Sequence, residues 1–201
     1  MRTLFREPTE FLSLKEFRKK LKKRQLKANT SRGTWSPWKE FKLSEIVCST
    51  SLGNDTPSIG YFCPRQDWDE PDELPSAPDF CSTAFPRIHS DALSFHACNP
   101  EELEFNRDFG VWQAPARSIE IVPTLLFVPC SAADLLGRRL GRGGGFYDRY
   151  LQSNPGIKSI GVLHSDYLFE TLPEDYFHSG DQIIESILTE NNFHFDLKEQ
   201  L

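Results

Sequence analysis

The first periodic segment of the chain has helical spacing. Between residues 13 and 29, Leu14, Phe17, Leu21 and Gln25 recur at intervals of three or four. This spacing places them on one face of a helix. Most of the positions between them are Lys or Arg. The pattern predicts an amphipathic, strongly basic N-terminal helix.

A second helix is predicted to begin at Ser36 and Pro37. Ser is a favoured N-cap residue, and Pro fits the first turn of a helix. The apolar residues that would form its inner face follow: Trp38, Phe41, Ile46 and Val47. Residues 49–58 and 64–82 are rich in turn-forming or acidic residues and are expected to form loops.

The clearest strand pattern lies at residues 119–128. This run is β-branched and nearly continuously apolar, which is typical of a strand buried on both faces of a parallel sheet. Shorter strands are predicted at 59–63, 85–87 and 92–95.

A glycine-rich loop, a helix at about 147–152 and a strand at 159–164 follow the main strand pattern. The order strand, loop, helix, strand predicts a βαβ unit. We therefore expect a single α/β domain over residues 1–201. It would hold an open, mostly parallel, Rossmann-like sheet with helices on both faces, and the basic N-terminal helix.

Composition excludes several classes of protein. No stretch approaches the ~18–20 consecutive apolar residues of a membrane span, and the N-terminus lacks the apolar centre of a signal peptide. The five cysteines are odd in number and at least 15 residues apart, so neither a zinc pair nor a disulfide framework is indicated. We expect free thiols, a cytoplasmic location and no membrane partner.

Charge is distributed unevenly along the chain. Residues 1–42 hold 13 Lys and Arg against 4 Asp and Glu, a net charge of +9. The other 159 residues hold 10 against 25, a net charge of −15. The basic segment alone would suit nucleic acid. Because the acidic body would repel a polyanion, we expect no nucleic-acid partner.

The most informative segment is a loop with five glycines in nine residues, from Gly137 to Gly145. Successive N–H groups in such a loop form a concave anion site, to which a following helix adds its N-terminal dipole. Arg138, Arg139 and Arg142 add charged donors for phosphate oxygens. The loop therefore predicts a phosphate site.

Carboxylates bracket this loop. Asp134 precedes it and Asp148 follows it. Carboxylate oxygens beside phosphates are the ligands that Mg²⁺ prefers. Together the loop and its flanks indicate a nucleotide polyphosphate with its metal, although neither common nucleotide-loop pattern matches.

Residues 129–151 resemble the signature of the 5-formyltetrahydrofolate cyclo-ligases (5,10-methenyltetrahydrofolate synthetases), P-G-x-A-F-D-x-x-G-x-R-L-G-[YR]-G-x-G-[YF]-Y-D-R. The matching residues are Pro129, Ala132, Asp134, Gly137, Arg139, Leu140, Gly141, Gly143, Gly145, Tyr147, Asp148 and Arg149. The basic N-terminal helix and the segment from Leu172 and Pro173 to Glu190 are similar to parts of the family more weakly.

The resemblance implies an enzyme that converts 5-formyltetrahydrofolate and ATP, with Mg²⁺, to 5,10-methenyltetrahydrofolate, ADP and phosphate. The residues that it assigns to ATP are Lys15, Arg18, Arg139, Leu140, Gly141, Arg142, Gly143, Gly144, Gly145, Phe146 and Tyr147. Those assigned to the folate are Phe62, Asp67, Phe109, Phe146 and Tyr147. Asp148 is assigned to the metal. A monomer with these small-molecule substrates is expected.

Five positions depart from the family pattern. Cys130 replaces a glycine, Ala133 an aromatic residue, Gly144 a frequent Lys, Asp67 a Glu and Tyr167 a Gln. These departures leave open an alternative, a drifted paralogue that binds a nucleotide or sugar phosphate on the same scaffold without cyclo-ligase activity.

Overall fold

A computed structural model of the chain describes residues 13–31, 35–38, 41–50, 56–65, 69–71 and 73–194. These residues form three α-helices, α1 (Leu14–Ser31), α2 (Leu43–Thr50) and α3 (Phe146–Ser153). No helix in this part of the chain combines the length and apolarity needed to cross a membrane.

The strands of the described residues are short. In chain order they are β1 (Ser58–Gly60), β2 (Ser82–His89), β3 (Ala92–Ala97), β4 (Glu104–Asn106), β5 (Val111–Gln113), β6 (Leu125–Pro129), β7 (Ala132–Asp134), β8 (Arg139–Leu140), β9 (Lys158–Val162), β10 (Leu168–Phe169), β11 (Ser186–Leu188) and β12 (Phe193–His194).

Seven of these strands form the main sheet in the order β12-β11-β9-β6-β1-β2-β3. The five central strands are parallel to one another, and an antiparallel strand closes each edge. The unit β6-α3-β9 is a βαβ unit with adjacent parallel strands, as the sequence predicts. The mostly parallel α/β fold is therefore confirmed.

Helices cover both faces of the main sheet. Side chains alternate along β6, so that Leu125 and Phe127 join the core cluster under α2. Leu126 and Val128 point the other way and join the cluster under α3. All four are almost fully buried, which explains why this strand reads as a continuous apolar run.

The helix α1 packs against a smaller sheet of order β10-β7-β8. The Phe17 ring lies edge-on to Phe169, with centroids 5.8 Å apart, and 5.3 Å from Tyr176. Gln25 donates from Nε2 to the carbonyl of Ser131 at 3.0 Å. The predicted inner face of the basic helix is confirmed.

The strand predicted at 119–128 is wrong in its first half, because β6 begins only at Leu125. Ile119 and Val122 are 76% and 58% exposed. Residues 119–121 instead border β3, where Ile121 donates to the carbonyl of Phe95 at 2.9 Å. Pro123 then interrupts the run, since proline has no N–H to donate to a ladder.

The second helix does not begin at Ser36 and Pro37, and that prediction is wrong. Its first residue is Leu43. The segment before it inserts Trp38 against Phe127, with ring centroids 5.3 Å apart, and Trp38 donates from Nε1 to the Glu73 carbonyl at 2.6 Å. Aromatic packing has overridden the local capping preference.

We expect Gly161→Ala to destabilise the fold. A Cβ at Gly161 would lie 2.2 Å from Cδ1 of the buried Ile184 and 3.0 Å from Sγ of Cys130. Overpacking of this kind costs about 1–3 kcal/mol, measurable as a fall in the free energy of unfolding in urea. Gly156→Ala is the matched control, since a Cβ there meets nothing within 4 Å. Equal stability of the two variants would contradict the packing argument.

Candidate functional site

A cavity of about 330 Å³ opens at the carboxyl ends of the parallel strands. From β1 the chain passes to β2 on one side, and later to β6 on the other. Ligands of open parallel sheets bind at such a reversal of strand order. The lining residues are Phe62, Cys63 and Arg65 after β1; Pro86, Ile88, Leu93 and Pro129 from the sheet; Phe109, Val111, Trp112 and Gln113 of the β4–β5 hairpin; and Arg139, Gly141, Arg142, Gly144, Gly145, Phe146, Tyr147 and Asp148.

The glycine loop leads from β8 into α3. Gly143 and Gly145 have φ values of 93° and 63°, a backbone region that favours glycine. Gly145 is also the N-cap of α3, so the first amides of the helix begin at the cavity wall. A helix N-terminus is a ready site for an anion such as phosphate.

Leu140 anchors the start of this loop. Its side chain is almost fully buried, and its backbone pairs with Ala132 of β7. Leu140 is therefore a core residue that does not line the cavity, although the family resemblance assigned it to the ATP site.

Arg139 and Asp148 meet in the cavity wall. The Arg139 side chain is only 3% exposed, and its Nη2 donates to Asp148 Oδ1 at 2.8 Å. Its Nη1 donates to the carbonyl of Gln182 at 2.6 Å, whose own amide donates to Asp148 Oδ1 at 3.1 Å. The two residues that the sequence predicts for phosphate and metal are thus adjacent and held in place.

A second ion pair joins the loop to the segment after β1. Arg142 pairs with Oε1 of Glu70, and the Arg65 amide donates to Glu70 Oε2 at 2.8 Å. Burial raises the pKa of the Glu70 carboxyl, while the Arg142 charge opposes that rise. Sequence reasoning missed Glu70, because it is one of several acidic residues in a proline-rich loop with no motif spacing.

Asp134 and Arg138 are occupied elsewhere and do not line the cavity. Asp134 is fully buried and accepts the amides of Leu136, Arg138 and Leu172 at 2.9–3.1 Å. Arg138 donates from Nε to Asp134 Oδ2 at 2.8 Å and from Nη2 to the Leu172 carbonyl at 2.7 Å. Both residues build the turn between β7 and β8, so the expected metal and phosphate contacts are replaced by a structural role.

The aromatic residues assigned to the folate come together. Phe62, Phe109, Phe146 and Tyr147 all line the cavity. The rings of Phe109 and Phe146 meet edge to face, with centroids 6.2 Å apart. Burial raises the pKa of the Tyr147 hydroxyl well above its usual value, so this group stays protonated. Asp67 lies outside the described residues.

The basic helix reaches the outer side of the glycine loop through Arg18. A Cβ placed on Gly143 would lie 3.7 Å from Arg18 Nη1. Lys15 is exposed one turn earlier on the same helix. Neither residue lines the cavity itself, and the described contact with the loop is that of Arg18.

The donor set around Asp148 suits a metal that is held mainly by phosphate and water. Within the described residues no group of three or more His, Cys, Asp or Glu is arranged to hold a metal. Mg²⁺ needs only one or two protein carboxylates when it binds together with nucleotide phosphates. Both described hydrogen bonds to Asp148 fall on Oδ1, so a Mg²⁺ coordinated through Oδ2 fits this residue.

Comparison with known proteins identifies relatives of the chain. The family model of the 5-formyltetrahydrofolate cyclo-ligases matches residues 89–190, in agreement with the signature resemblance. The 5-formyltetrahydrofolate cyclo-ligase of Haemophilus influenzae is 36% identical over 84 residues, which are 39% of this chain and 45% of that protein. That of Escherichia coli K12 is 47% identical over 51 residues, 24% of this chain and 28% of that protein. The chain thus matches less than half the length of these curated relatives.

Solved structures show the same fold. The NMR structure of Aquifex aeolicus 5,10-methenyltetrahydrofolate synthetase superposes with a TM-score of 0.66 and 26% identity, over 93% of this chain and 94% of that one. A 5,10-methenyltetrahydrofolate synthetase from Mycoplasma pneumoniae gives a TM-score of 0.54 and 14% identity, over 89% and 99%. The second likeness concerns the fold alone.

We expect the half-buried Cys63 of the cavity wall and the buried Cys130 to resist alkylation. Burial raises the thiol pKa of Cys63 and of Cys130 to about 12. At pH 8 only about one such thiol in ten thousand is the reactive thiolate. Iodoacetamide followed by mass spectrometry should modify the exposed Cys48 first and reach the other two only in denaturant. Rapid modification of Cys63 in the folded protein would contradict this prediction and would show that the cavity wall contains a reactive thiolate.

Proposed function

The chain belongs to the 5-formyltetrahydrofolate cyclo-ligase family, and we propose that it cyclises 5-formyltetrahydrofolate to 5,10-methenyltetrahydrofolate, using ATP and Mg²⁺ and releasing ADP and phosphate. The observation that carries this proposal is a single cavity shared by the glycine loop and an aromatic wall. A phosphate donor and a flat acceptor would thereby meet at the N-terminus of α3.

The phosphate side is built from the loop and its two arginines. Backbone amides at Gly143–Gly145 and the first turn of α3 supply donors for phosphate oxygens. Arg139 lies in the same wall beside Asp148, and Arg142 follows in the loop. Mg²⁺, when bound, would neutralise phosphate charge, with Asp148 as its carboxylate ligand.

The folate side is built from aromatic and apolar groups. Phe62, Phe109, Phe146 and Tyr147 present ring surface to the cavity. Ring surface suits a planar heterocycle, because stacked or edge-on aromatic pairs add to apolar burial. The cavity volume of about 330 Å³ lies in the range of small-molecule sites.

The chemistry needs positioning more than covalent help from side chains. A formyl oxygen is a poor leaving group, so the γ-phosphoryl group is first transferred to it and ADP is formed. N10 then attacks the formyl carbon, a C–N bond forms, the C–O bond breaks with release of phosphate, and N10 loses its proton. The loop amides and Arg139 would orient the phosphoryl group, and the aromatic wall would exclude water from it.

The setting that we propose is the cytoplasm, with the protein acting as a monomer on small-molecule substrates. All five cysteines are free thiols, which suits a reducing compartment. The basic surface of α1 would serve the nucleotide through Arg18 at the loop.

The proposed reaction predicts a direct optical signal. Purified protein incubated with 5-formyltetrahydrofolate and MgATP should generate the near-ultraviolet absorbance of the methenyl product, together with one ADP per product formed. Omission of ATP is the control. ATP binding without product would overturn the proposed reaction and favour the alternative, binding of a nucleotide or sugar phosphate without cyclisation.

Asp148→Asn should reduce turnover about 100-fold, since it removes the carboxylate charge that would hold Mg²⁺ beside the transferring phosphoryl group. The Mg²⁺ concentration for half-maximal activity should rise at the same time. The exposed Asp175 provides a matched control in Asp175→Asn, which should leave both quantities unchanged. An unaltered Mg²⁺ titration in Asp148→Asn would show that this carboxylate does not hold the metal.

A further inference from the structure

Arg149 contacts the backbone of the glycine loop and does not line the cavity. Its Nη2 donates to the carbonyl of Gly144 at 3.0 Å and to the carbonyl of Asp91 at 2.5 Å. Its guanidinium also lies over the ring of Phe146, 5.3 Å from the centroid. Arg149 is absent from the cavity lining, so its contacts are with the loop and not with the cavity.

The bond to Gly144 sets the direction of a peptide plane. In a trans peptide the carbonyl and the following N–H point in opposite directions. Because the Gly144 carbonyl points to Arg149, the Gly145 amide points away from Arg149. Gly144 and Gly145 both line the cavity, whereas Arg149 does not, which is the arrangement expected of an amide directed at a bound phosphate.

The contact between Arg149 and the loop backbone leaves no room for a side chain. A Cβ on Gly145 would lie 2.7 Å from Arg149 Nη1, and Gly145 has a φ of 63°. The backbone conformation therefore requires glycine at this position, and a side chain here would also displace the guanidinium. The flat guanidinium of arginine fits beside both the Gly145 backbone and the Phe146 ring, whereas the tetrahedral ammonium of a lysine lacks that shape.

The bond to Asp91 fixes the loop to the main sheet. Asp91 lies in the turn between β2 and β3, next to Ser90 with a φ of 51°. One guanidinium thus joins a short turn of the sheet to the loop and to the first turn of α3. Arg149 thereby fixes the loop on one side, while the Gly145 amide is directed to the opposite side.

We infer that Arg149 is a positioning residue that holds the amides of the glycine loop toward the phosphates of ATP, an inference that rests on the proposed function. It acts through the backbone of Gly144 and Gly145 and through Phe146. Arg149 does not line the cavity, so it would not bind the phosphates directly. Its influence on ATP binding depends on the shape and hydrogen bonds of the guanidinium, rather than on its charge alone.

The test compares Arg149→Lys with Arg149→Gln in binding a fluorescent ATP analogue in the presence of Mg²⁺ and the absence of folate. Because neither an ammonium nor a neutral amide reproduces the flat, charged guanidinium, binding should weaken about tenfold in both variants. In turnover, the KM for ATP should rise by a similar factor while kcat at saturating ATP stays within about twofold. Arg117→Gln is the control, since Arg117 is exposed and pairs with Glu102 and Glu104.

Gly145→Ala tests the same contact from the backbone side. It should also weaken ATP binding. In the double variant with Arg149→Lys, the loss of binding free energy should be smaller than the sum of the two single losses, because both changes disturb the same contact. This cycle keeps the inference testable if Arg149→Gln folds poorly.

Three results would overturn the inference. Wild-type affinity in both Arg149 variants would exclude any role for Arg149, and full affinity in Arg149→Lys alone would reduce its role to charge. Wild-type protein that binds ATP but forms no methenyl product would end the proposed reaction and leave the role of Arg149 measurable by binding. Failure of the wild type to bind ATP would end both.

Discussion

The ion pair between Arg139 and Asp148 closes the glycine loop on itself. Arg139 lies at its start in β8, and Asp148 lies in the first turn of α3. The Gln182 backbone completes the pair with one donor and one acceptor. Loss of one partner from such a buried pair leaves an uncompensated charge, which is strongly destabilising. The five residues between β8 and α3 can therefore be almost all glycine without losing a defined path, since both ends are fixed.

The order of the strands brings the glycine loop next to the segment that follows β1. Parallel strands end at the same edge, so the segments after β1 and after β6 begin on the same side of the main sheet. The glycine loop follows β6 through the short strands β7 and β8, and it lines the same cavity as the segment after β1. The pair between Glu70 and Arg142 joins these two segments directly. Phe62 of the aromatic wall and the polyphosphate loop thus become neighbours because of strand order, although the joined residues Glu70 and Arg142 are 72 positions apart in the chain.

Local patterns were sufficient wherever one periodicity governed a segment. The inner face of α1, the βαβ unit and the glycine loop with Arg139 and Asp148 were all predictable for this reason. Long-range contacts decided the rest. Trp38 packs on Phe127 and displaces the start of the second helix. Glu70 joins the site because Arg142 reaches it from a distant loop. Arg138 and Arg139 are neighbours in the same glycine-rich segment and look equivalent in the sequence. In the structure, however, the Arg138 guanidinium donates to the Asp134 carboxylate and the Leu172 carbonyl.

The three arginines of the loop region share one feature, a carboxylate partner each. Arg138 pairs with Asp134, Arg139 with Asp148 and Arg142 with Glu70. The charges of these three arginines are thus balanced before any ligand binds, so they attract a polyanion less strongly than the sequence suggests. Donors that are not already committed to carboxylates come from the backbone amides at the N-terminus of α3. A polyanion would then be recognised chiefly by those directed amides, with its remaining charge balanced by a metal that binds with it. Recognition by backbone amides explains why the loop is rich in glycine. It also explains how Arg149 affects the site without lining the cavity, because its bond to the Gly144 carbonyl fixes the direction of one of these peptide planes.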